Sequence, residues 1–214
     1  SNPKFIADGQ AILEKDGTRI IRLYAKTCSY EIKDGTVTID CYAFAECKEL
    51  QSITIPEGVL AIGEWAFAYC DNLEAVVIPN TVKEMKCNAF WKCVNLKSID
   101  IPNTLTEISE NVFNGCTNLM SVVIPQGVTK IGASAIGRCT SLTNIVIPES
   151  VTYIGYDAFN DCTGLTSITI PSSVTEIEYS AFSGCTGLKE ITVSSENLLE
   201  EVKLPEGVKV IIAS

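Results

Sequence analysis

The residues with the widest chemical scope in this sequence are its ten cysteines, seven of which recur at a fixed interval. These seven stand 23 residues apart, at Cys47, Cys70, Cys93, Cys116, Cys139, Cys162 and Cys185. Thiols can bind metals or form redox pairs, but a 23-residue step is not the C-x-x-C motif of such sites. The sequence also has no histidine, which excludes His-ligated zinc, histidine-activated nucleophiles and imidazole acid–base catalysis.

The spacing of the cysteines favours packing over chemistry. In a stack of strands about 5 Å apart, equivalent thiols come close, yet their side chains point in parallel rather than at each other. We therefore predict that the seven are buried, reduced thiols that act as small apolar side chains. Cys41 and Cys87 share a second column with Glu64 between them, so we predict that they do not pair. Cys28 lies outside both columns and is predicted to be the most reactive thiol.

Four glutamates are predicted to follow one lateral ridge, at Glu64, Glu84, Glu107 and Glu110. Paired carboxylates can cleave glycosidic bonds or hold calcium. Here they fall on the predicted convex surface, without a loop long enough to build a cleft, so we interpret them as a solvated ridge. We predict no catalytic residue, no metal site and no cofactor, and therefore not an enzyme.

Aromatic residues provide a first candidate binding surface. Tyr42 and Trp65 share a column, Tyr69 lies one turn beyond Trp65, and Trp91 follows in the next repeat. Exposed Trp and Tyr side chains anchor protein interfaces and stack on sugars. The same four residues are also placed to cover a junction with the segment before the repeats, and the sequence leaves both interpretations open.

A column of strand positions provides a second candidate surface. It contains Thr54, Val77, Asp100, Val123 and Val146, and it continues to Thr169 and Thr192. These side chains are small and almost uncharged, which suits an extended partner on the concave face of a repeat protein. The alternative is that they reflect only the β-propensity of an exposed sheet face.

Both surfaces depend on an internal repeat. Six prolines, from Pro56 to Pro171, and columns of Leu and Phe follow the same 23-residue step as the cysteines. In one unit, Leu73, Val76 and Ile78 form an apolar strand that Pro79 ends. Further on, Ala89, Phe90, Cys93 and Leu96 have the spacing of a short helical turn. One such unit cannot bury these side chains, whereas a stack of seven can, so we predict a solenoid.

The two ends depart from the regular pattern. Asp8-Gly9 and Asp16-Gly17 predict tight turns between strands at 5–7, 11–13 and 19–23, and hence a β-hairpin cap over residues 1–29. Residues 30–193 form the predicted solenoid. Residues 194–214 contain an acidic insertion, 194–204, and a partial last coil, which either caps the stack or is continued in a longer protein.

Composition narrows the range of partners. The 214 residues are 46% hydrophobic and 20% charged, as expected of a folded chain. The net charge of −10 argues against binding to nucleic acid or to an anionic membrane surface. No apolar run approaches the roughly 20 residues needed to cross a bilayer, so we predict no membrane span.

The repeat unit resembles the BspA-like leucine-rich repeat family. The resemblance rests on the pattern seen in Ile147-Pro148-Glu149-Ser150-Val151-Thr152 followed by Ala158-Phe159-x-x-Cys162-x-x-Leu165, and it covers roughly residues 30–193. It implies an α/β repeat: a right-handed leucine-rich-repeat solenoid with parallel strands on its concave face and short helical turns on its convex face. It also implies a secreted or cell-surface protein of bacteria, some members of which bind host matrix proteins or mediate cell–cell contact.

Two functions follow for a solenoid with exposed faces. The first is a non-catalytic surface module that recognises a protein, such as a host matrix or surface protein, or a glycan through its Trp and Tyr residues. The second is a structural spacer within a larger surface protein. The fold of a repeat family constrains its function weakly, so adhesion is an expectation by analogy.

Overall fold

The chain forms a β-solenoid of about eight turns, each of about 23 residues, in a computed structural model that describes residues 4–213. Its strands, in chain order, are β1 (Phe5–Ala7), β2 (Ala11–Glu14), β3 (Arg19–Leu23), β4 (Thr38–Ile39), β5 (Ser52–Thr54), β6 (Ala61–Ile62), β7 (Ala75–Val77), β8 (Glu84–Met85), β9 (Ser98–Asp100), β10 (Glu107–Ile108), β11 (Ser121–Val123), β12 (Lys130–Ile131), β13 (Tyr153–Ile154), β14 (Ser167–Thr169), β15 (Glu176–Ile177), β16 (Glu190–Val193) and β17 (Lys209–Ile212). From β4 onward, strand pairing is parallel.

Most coils place one strand in each of two ladders. We call β5, β7, β9, β11, β14, β16 and β17 the front ladder, and β4, β6, β8, β10, β12, β13 and β15 the side ladder. Between regular coils the paired residues are one repeat apart, such as Ser52 with Ala75 and Glu107 with Lys130. The three-residue front strands bury their middle side chain and expose the other two, because successive side chains of a strand point to opposite faces.

Equivalent side chains lie over one another in the core. The Phe44 and Phe67 rings stack with centroids 4.8 Å apart, and the Phe67 and Phe90 rings with centroids 5.0 Å apart. Ile136 stands where the other coils have Phe and is also fully buried. The 23-residue register thus buries the columns that one isolated coil would expose, and the predicted solenoid is confirmed.

The predicted helical turns are not helices, and this part of the fold prediction is corrected. Around Phe67, alternate amides bond in different directions. The N–H groups of Trp65, Phe67 and Tyr69 donate to carbonyls of the next coil, whereas those of Ala66, Ala68 and Cys70 donate three residues back. Trp65 and Tyr69 accordingly have φ of 58° and 60°, which an α-helix does not allow. Stacking therefore satisfies the backbone that a helix would satisfy internally. The one helical segment between residues 4 and 213 is a 3₁₀ turn at Glu196–Leu199.

The N-terminal segment forms an antiparallel meander of β1, β2 and β3. Its strands occupy the predicted positions, and Gly9 and Gly17 have φ of 94° and 77° in the connecting turns. β3 then pairs in parallel with β4 through Arg19–Thr38 and Ile20–Ile39, so the meander extends the side ladder. Residues 1–3 of the predicted cap lie outside the described chain.

At the other end, the predicted insertion leaves and rejoins the stack. It carries the 3₁₀ turn, in which the Asn197 N–H donates to the Ser195 hydroxyl, and its Lys203 N–H donates to the Tyr179 carbonyl. After it, β17 pairs with β16 from Glu190–Lys209 to Val193–Ile212. Half-buried apolar side chains of this region contact the core: Leu198, Leu199, Val202, Leu204 and Val208. The coil after the insertion is therefore back in the ladder; Ser214 lies outside the described residues.

Candidate binding site

The structure brings the predicted strand column together on one exposed surface, which we call the front face. Thr54 is in register with Val77, Asp100 with Val123, and Val123 with Val146 through an isolated bridge. All five side chains are exposed, because the neighbouring strand residues are the ones that point into the core. The three valines are 59%, 62% and 71% exposed, and we call them the apolar row, in which Asp100 separates Val77 from the neighbouring pair Val123 and Val146.

Met120 is not among the predicted site residues; it is a further exposed apolar side chain, 55% exposed, in a different column. It precedes β11 in a column that holds Lys97 one repeat earlier and Thr143 one repeat later, so its column carries no common residue type. Next to Val146 a shallow groove of about 270 Å³ runs between residues 144–147 and β14. The front ladder is interrupted there, since residues 144–145 belong to no strand.

The four predicted aromatic residues also meet, in a cluster that we call the aromatic patch. Tyr42 stacks on Trp65 with centroids 6.1 Å apart, and Trp91 lies edge-to-face against Trp65 at 5.0 Å and Tyr69 at 4.7 Å. The Lys92 ammonium lies over the Trp91 ring, 4.5 Å from its centroid. Such T-shaped and cation–π contacts each contribute about 1 kcal/mol beyond burial. Tyr42 is 51% exposed, whereas the other three rings are half-buried.

The position of the aromatic patch is compatible with both interpretations, a binding surface and a cover for the junction with the meander. At its first coil, the Arg22 guanidinium donates to the Tyr42 carbonyl, and the Leu23 N–H donates to the Ala43 carbonyl over 2.7 Å. Tyr42 therefore lies at the junction with the meander. Trp65, Tyr69 and Trp91 extend over the next two coils, beyond that junction, so covering the meander does not account for the whole patch.

The cysteine column carries a hydrogen-bond ladder that the sequence did not predict. Six thiols each donate to a carbonyl of the preceding coil, at Sγ–O distances of 3.0–3.3 Å, from Cys70 to Phe44 through Cys185 to Phe159. These six are buried, and all ten cysteines are free thiols. Burial raises the pKa of Cys116 to about 12 and that of Cys185 to about 11, so both stay protonated at neutral pH.

With the geometry described, the similarity of the chain to known proteins decides its family. A profile of the BspA type leucine rich repeat region matches residues 24–140 and 129–203 in six copies. The chain belongs to the BspA-type leucine-rich repeat family. Its membership agrees with the 23-residue coil and the stacked Phe and Cys columns, and the resemblance seen in the sequence is confirmed.

Solved structures of bacterial leucine-rich repeat proteins resemble this BspA-type chain. The T. pallidum leucine rich repeat protein is 29% identical with a TM-score of 0.74, covering 88% of this chain and 89% of that one. A leucine-rich repeat protein from Eubacterium ventriosum is 24% identical (TM-score 0.80), with coverage of 97% of this chain and 53% of that one. A leucine rich cell surface protein from Faecalibacterium prausnitzii is 19% identical (TM-score 0.50), with coverage of 99% and 95%. The last two show the fold alone, and no curated protein matches this chain.

The other features of this BspA-type chain that bear on function are its acidic ridge, its metal-binding capacity and its helix content. The four ridge glutamates are exposed, and Glu84 pairs with Lys86 over 2.8 Å. Within residues 4–213, no three His, Cys, Asp or Glu residues are grouped so as to hold a metal ion. The same residues contain no helix with the length and apolar character that a bilayer span requires.

Proposed function

We propose that this BspA-type solenoid is a non-catalytic recognition module of a bacterial surface or secreted protein that binds a protein partner through its front face. The observation that carries the proposal is the apolar row of Val77, Val123 and Val146, together with Met120 just before β11, each more than half exposed. Val123 and Val146 are in register on adjacent coils, and exposed apolar patches are typical of interaction surfaces. Single exposed apolar residues would carry no such meaning.

The charges around the row support a protein partner over a polyanion. Asp100 is the one charged residue of the five-residue column, and the whole chain carries a net charge of −10. A nucleic acid would be repelled, whereas an extended, largely neutral protein segment would lose little solvation on binding. The name of the F. prausnitzii structure, a cell surface protein, supports the proposed location.

Glycan binding through the aromatic patch is a second candidate function. The exposed face of Tyr42 at the end of a continuous run of rings favours it, because sugars stack on such faces. Against it, Trp65 and Trp91 already pack on each other, and Lys92 covers part of Trp91. The patch therefore offers less free ring surface than its composition implied.

A binding screen with paired variants tests both candidates. The protein would be measured by surface plasmon resonance against arrays of extracellular matrix proteins and glycans. We expect saturable binding to a protein, and a loss of about tenfold or more in the V123E/V146E double variant, because two charges would be buried without partners. L60E is the matched control, since Leu60 is 41% exposed and lies outside the front ladder.

The outcomes separate the alternatives. Binding that V123E/V146E leaves unchanged contradicts the front-face proposal, and its loss in Y42A points to the aromatic patch. Absence of binding to every protein and glycan of the array favours a structural spacer.

A further inference from the structure

A slot of about 410 Å³ lies between the meander and the first coil, in the size range of small-ligand sites. One wall is the segment 22–27 that leads out of β3, and the other is the turn 45–49. The two walls are joined at both ends by backbone hydrogen bonds, from Leu23 N–H to Ala43 O over 2.7 Å and from Gln51 N–H to Cys28 O over 2.9 Å. The slot is therefore a held-open gap between two layers of backbone.

The gap exists because residues 24–27 do not form the backbone hydrogen bonds that join the turns of successive coils elsewhere. In later coils, the carbonyls of each turn accept hydrogen bonds from amides of the preceding coil. For example, the Phe44 N–H donates to Ala66 O, and the Glu46 N–H donates to Ala68 O. In the first coil, Ala43 receives the Leu23 amide, but the next amides, of Tyr24 and Ala25, both donate to Gln10 O instead. Within the described chain the Ala45 carbonyl, which lines the slot, is left without a donor.

Cys47 marks the same gap from the core side. It is the one cysteine of the 23-residue column whose thiol has no acceptor among residues 4–213. Burial raises the pKa of Cys47 to about 12, so the thiol remains a protonated donor rather than a nucleophile. The slot thus presents a free carbonyl acceptor and a free thiol donor.

Four of the five charged side chains that line the slot form no ion pair within residues 4–213. Arg22 and Lys26 lie on one wall, and the ion pairs of residues 4–213 include neither. The Arg22 guanidinium donates to Tyr42 O, which leaves further N–H groups in a geometry that matches a carboxylate. Glu46 and Glu49 on the opposite wall are unpaired too, whereas Lys48 pairs with Asp71 at 3.4 Å. Positive and negative groups therefore face each other across the gap.

We propose that this slot binds a ligand that carries a carboxylate next to an N–H donor, the shared chemistry of an α-amino acid and of the C-terminal residue of a peptide. The carboxylate accepts hydrogen bonds from Arg22 with support from Lys26. The neighbouring N–H donates to the Ala45 carbonyl, in the place where a regular coil would have supplied an amide. A free ammonium group additionally faces Glu46 and Glu49.

Calorimetry on the wild-type protein tests the proposal without any substitution. The probes are alanine, the dipeptide N-acetyl-glycyl-alanine with a free carboxylate, and the same dipeptide as its C-terminal amide. We expect saturable binding of alanine, of the free-acid dipeptide, or of both, and binding at least about tenfold weaker for the amide, since hydrogen bonds to charged groups contribute strongly. Tighter binding of alanine identifies amino acids as the source, and tighter binding of the dipeptide identifies peptide C-termini.

Three variants assign any binding to the slot. We expect R22Q to weaken binding about tenfold or more, whereas R19Q, which removes an arginine of the same strand that pairs with Asp40 at 3.0 Å, leaves it within about twofold. R22K keeps the charge without the bidentate fork and is expected to be intermediate. Three results would each overturn the proposal. Neither alanine nor the free-acid dipeptide binds, the free-acid dipeptide and its amide bind equally well, or wild type and R22Q bind equally well.

Discussion

Cys116 shows how one side chain serves both packing and polarity in this fold. Its sulfur fills the column between coils as a small apolar atom, while its proton satisfies a second acceptor site on the Phe90 carbonyl, 3.2 Å away. That carbonyl also accepts the Cys93 amide. Alanine at this position would leave a cavity and would remove the hydrogen bond to the Phe90 carbonyl. A thiol therefore suits this position better than a smaller apolar side chain.

The thiol column makes stability sensitive to alkaline pH. In the unfolded chain a thiol ionises near its ordinary pKa of 9.0, whereas burial holds the pKa of Cys116 near 12 in the folded protein. Between these values the unfolded state binds fewer protons than the folded state, so the free energy of unfolding falls as pH rises, by up to about 1.4 kcal/mol per pH unit for each such thiol. We expect the urea midpoint to be lower at about pH 10.5 than at about pH 8.

The C116V variant is the control for this pH effect, because it keeps a buried apolar side chain and removes one ionisable thiol. Its midpoint should fall less steeply than that of the wild type over the same pH interval. Equal slopes for the two proteins would show that the buried thiols do not control the alkaline transition.

At the scale of elements, β3 pairs the meander with the first strand of the side ladder. Ile20 is fully buried and pairs with Ile39 of β4, whereas Ile6 on β1 is 45% exposed. The same change of side chain therefore has different consequences in two strands of one meander. The difference in unfolding free energy between a substitution at Ile20 and the same substitution at Ile6 measures how much the meander stabilises the first coil.

We expect I20A to lower the free energy of unfolding by about 2–4 kcal/mol, because it leaves a cavity under the first coil. I6A should change it by less than about 0.5 kcal/mol, since its side chain is largely in water. Urea denaturation followed by tryptophan fluorescence reports both, as Trp65 and Trp91 lie close to that end. Similar losses in the two variants would contradict this account of the junction.

For the whole molecule, stability is the sum of contacts between neighbouring coils. Phe113 lies in the middle of the ring column and contacts Phe90, whereas Phe182 lies towards the last coil and contacts Phe159. Both are fully buried. A cavity in the middle weakens the connection between two halves, but a cavity near the end weakens only the coils beyond it.

Hydrogen exchange with mass spectrometry distinguishes these cases. We expect F113A to reduce amide protection in the coils on both sides of it, and F182A to reduce protection mainly from residue 160 onward. Y156A is the control, because Tyr156 is 54% exposed and its loss leaves no cavity. A uniform loss of protection in F182A would indicate a single cooperative unit instead.

The sequence alone determined the repeat length, the identity of the core columns and the exposed columns of the front face. It could do so because a constant 23-residue step brings residues i and i+23 together whatever the local backbone conformation is. The spacing of Ala89, Phe90, Cys93 and Leu96 identified the buried side chains correctly, although the helix inferred from them was wrong.

Only the tertiary structure decided how backbone groups are satisfied. Trp65 and Tyr69 adopt positive φ because their amides find acceptors in the next coil, a partner that no local pattern contains. The same dependence on neighbouring coils explains the hydrogen bonds of the thiols, the partial burial of the aromatic patch and the slot beside Ala45. Each depends on whether a neighbouring layer is present at that point, and hydrogen bonds between layers are formed across space rather than along the chain.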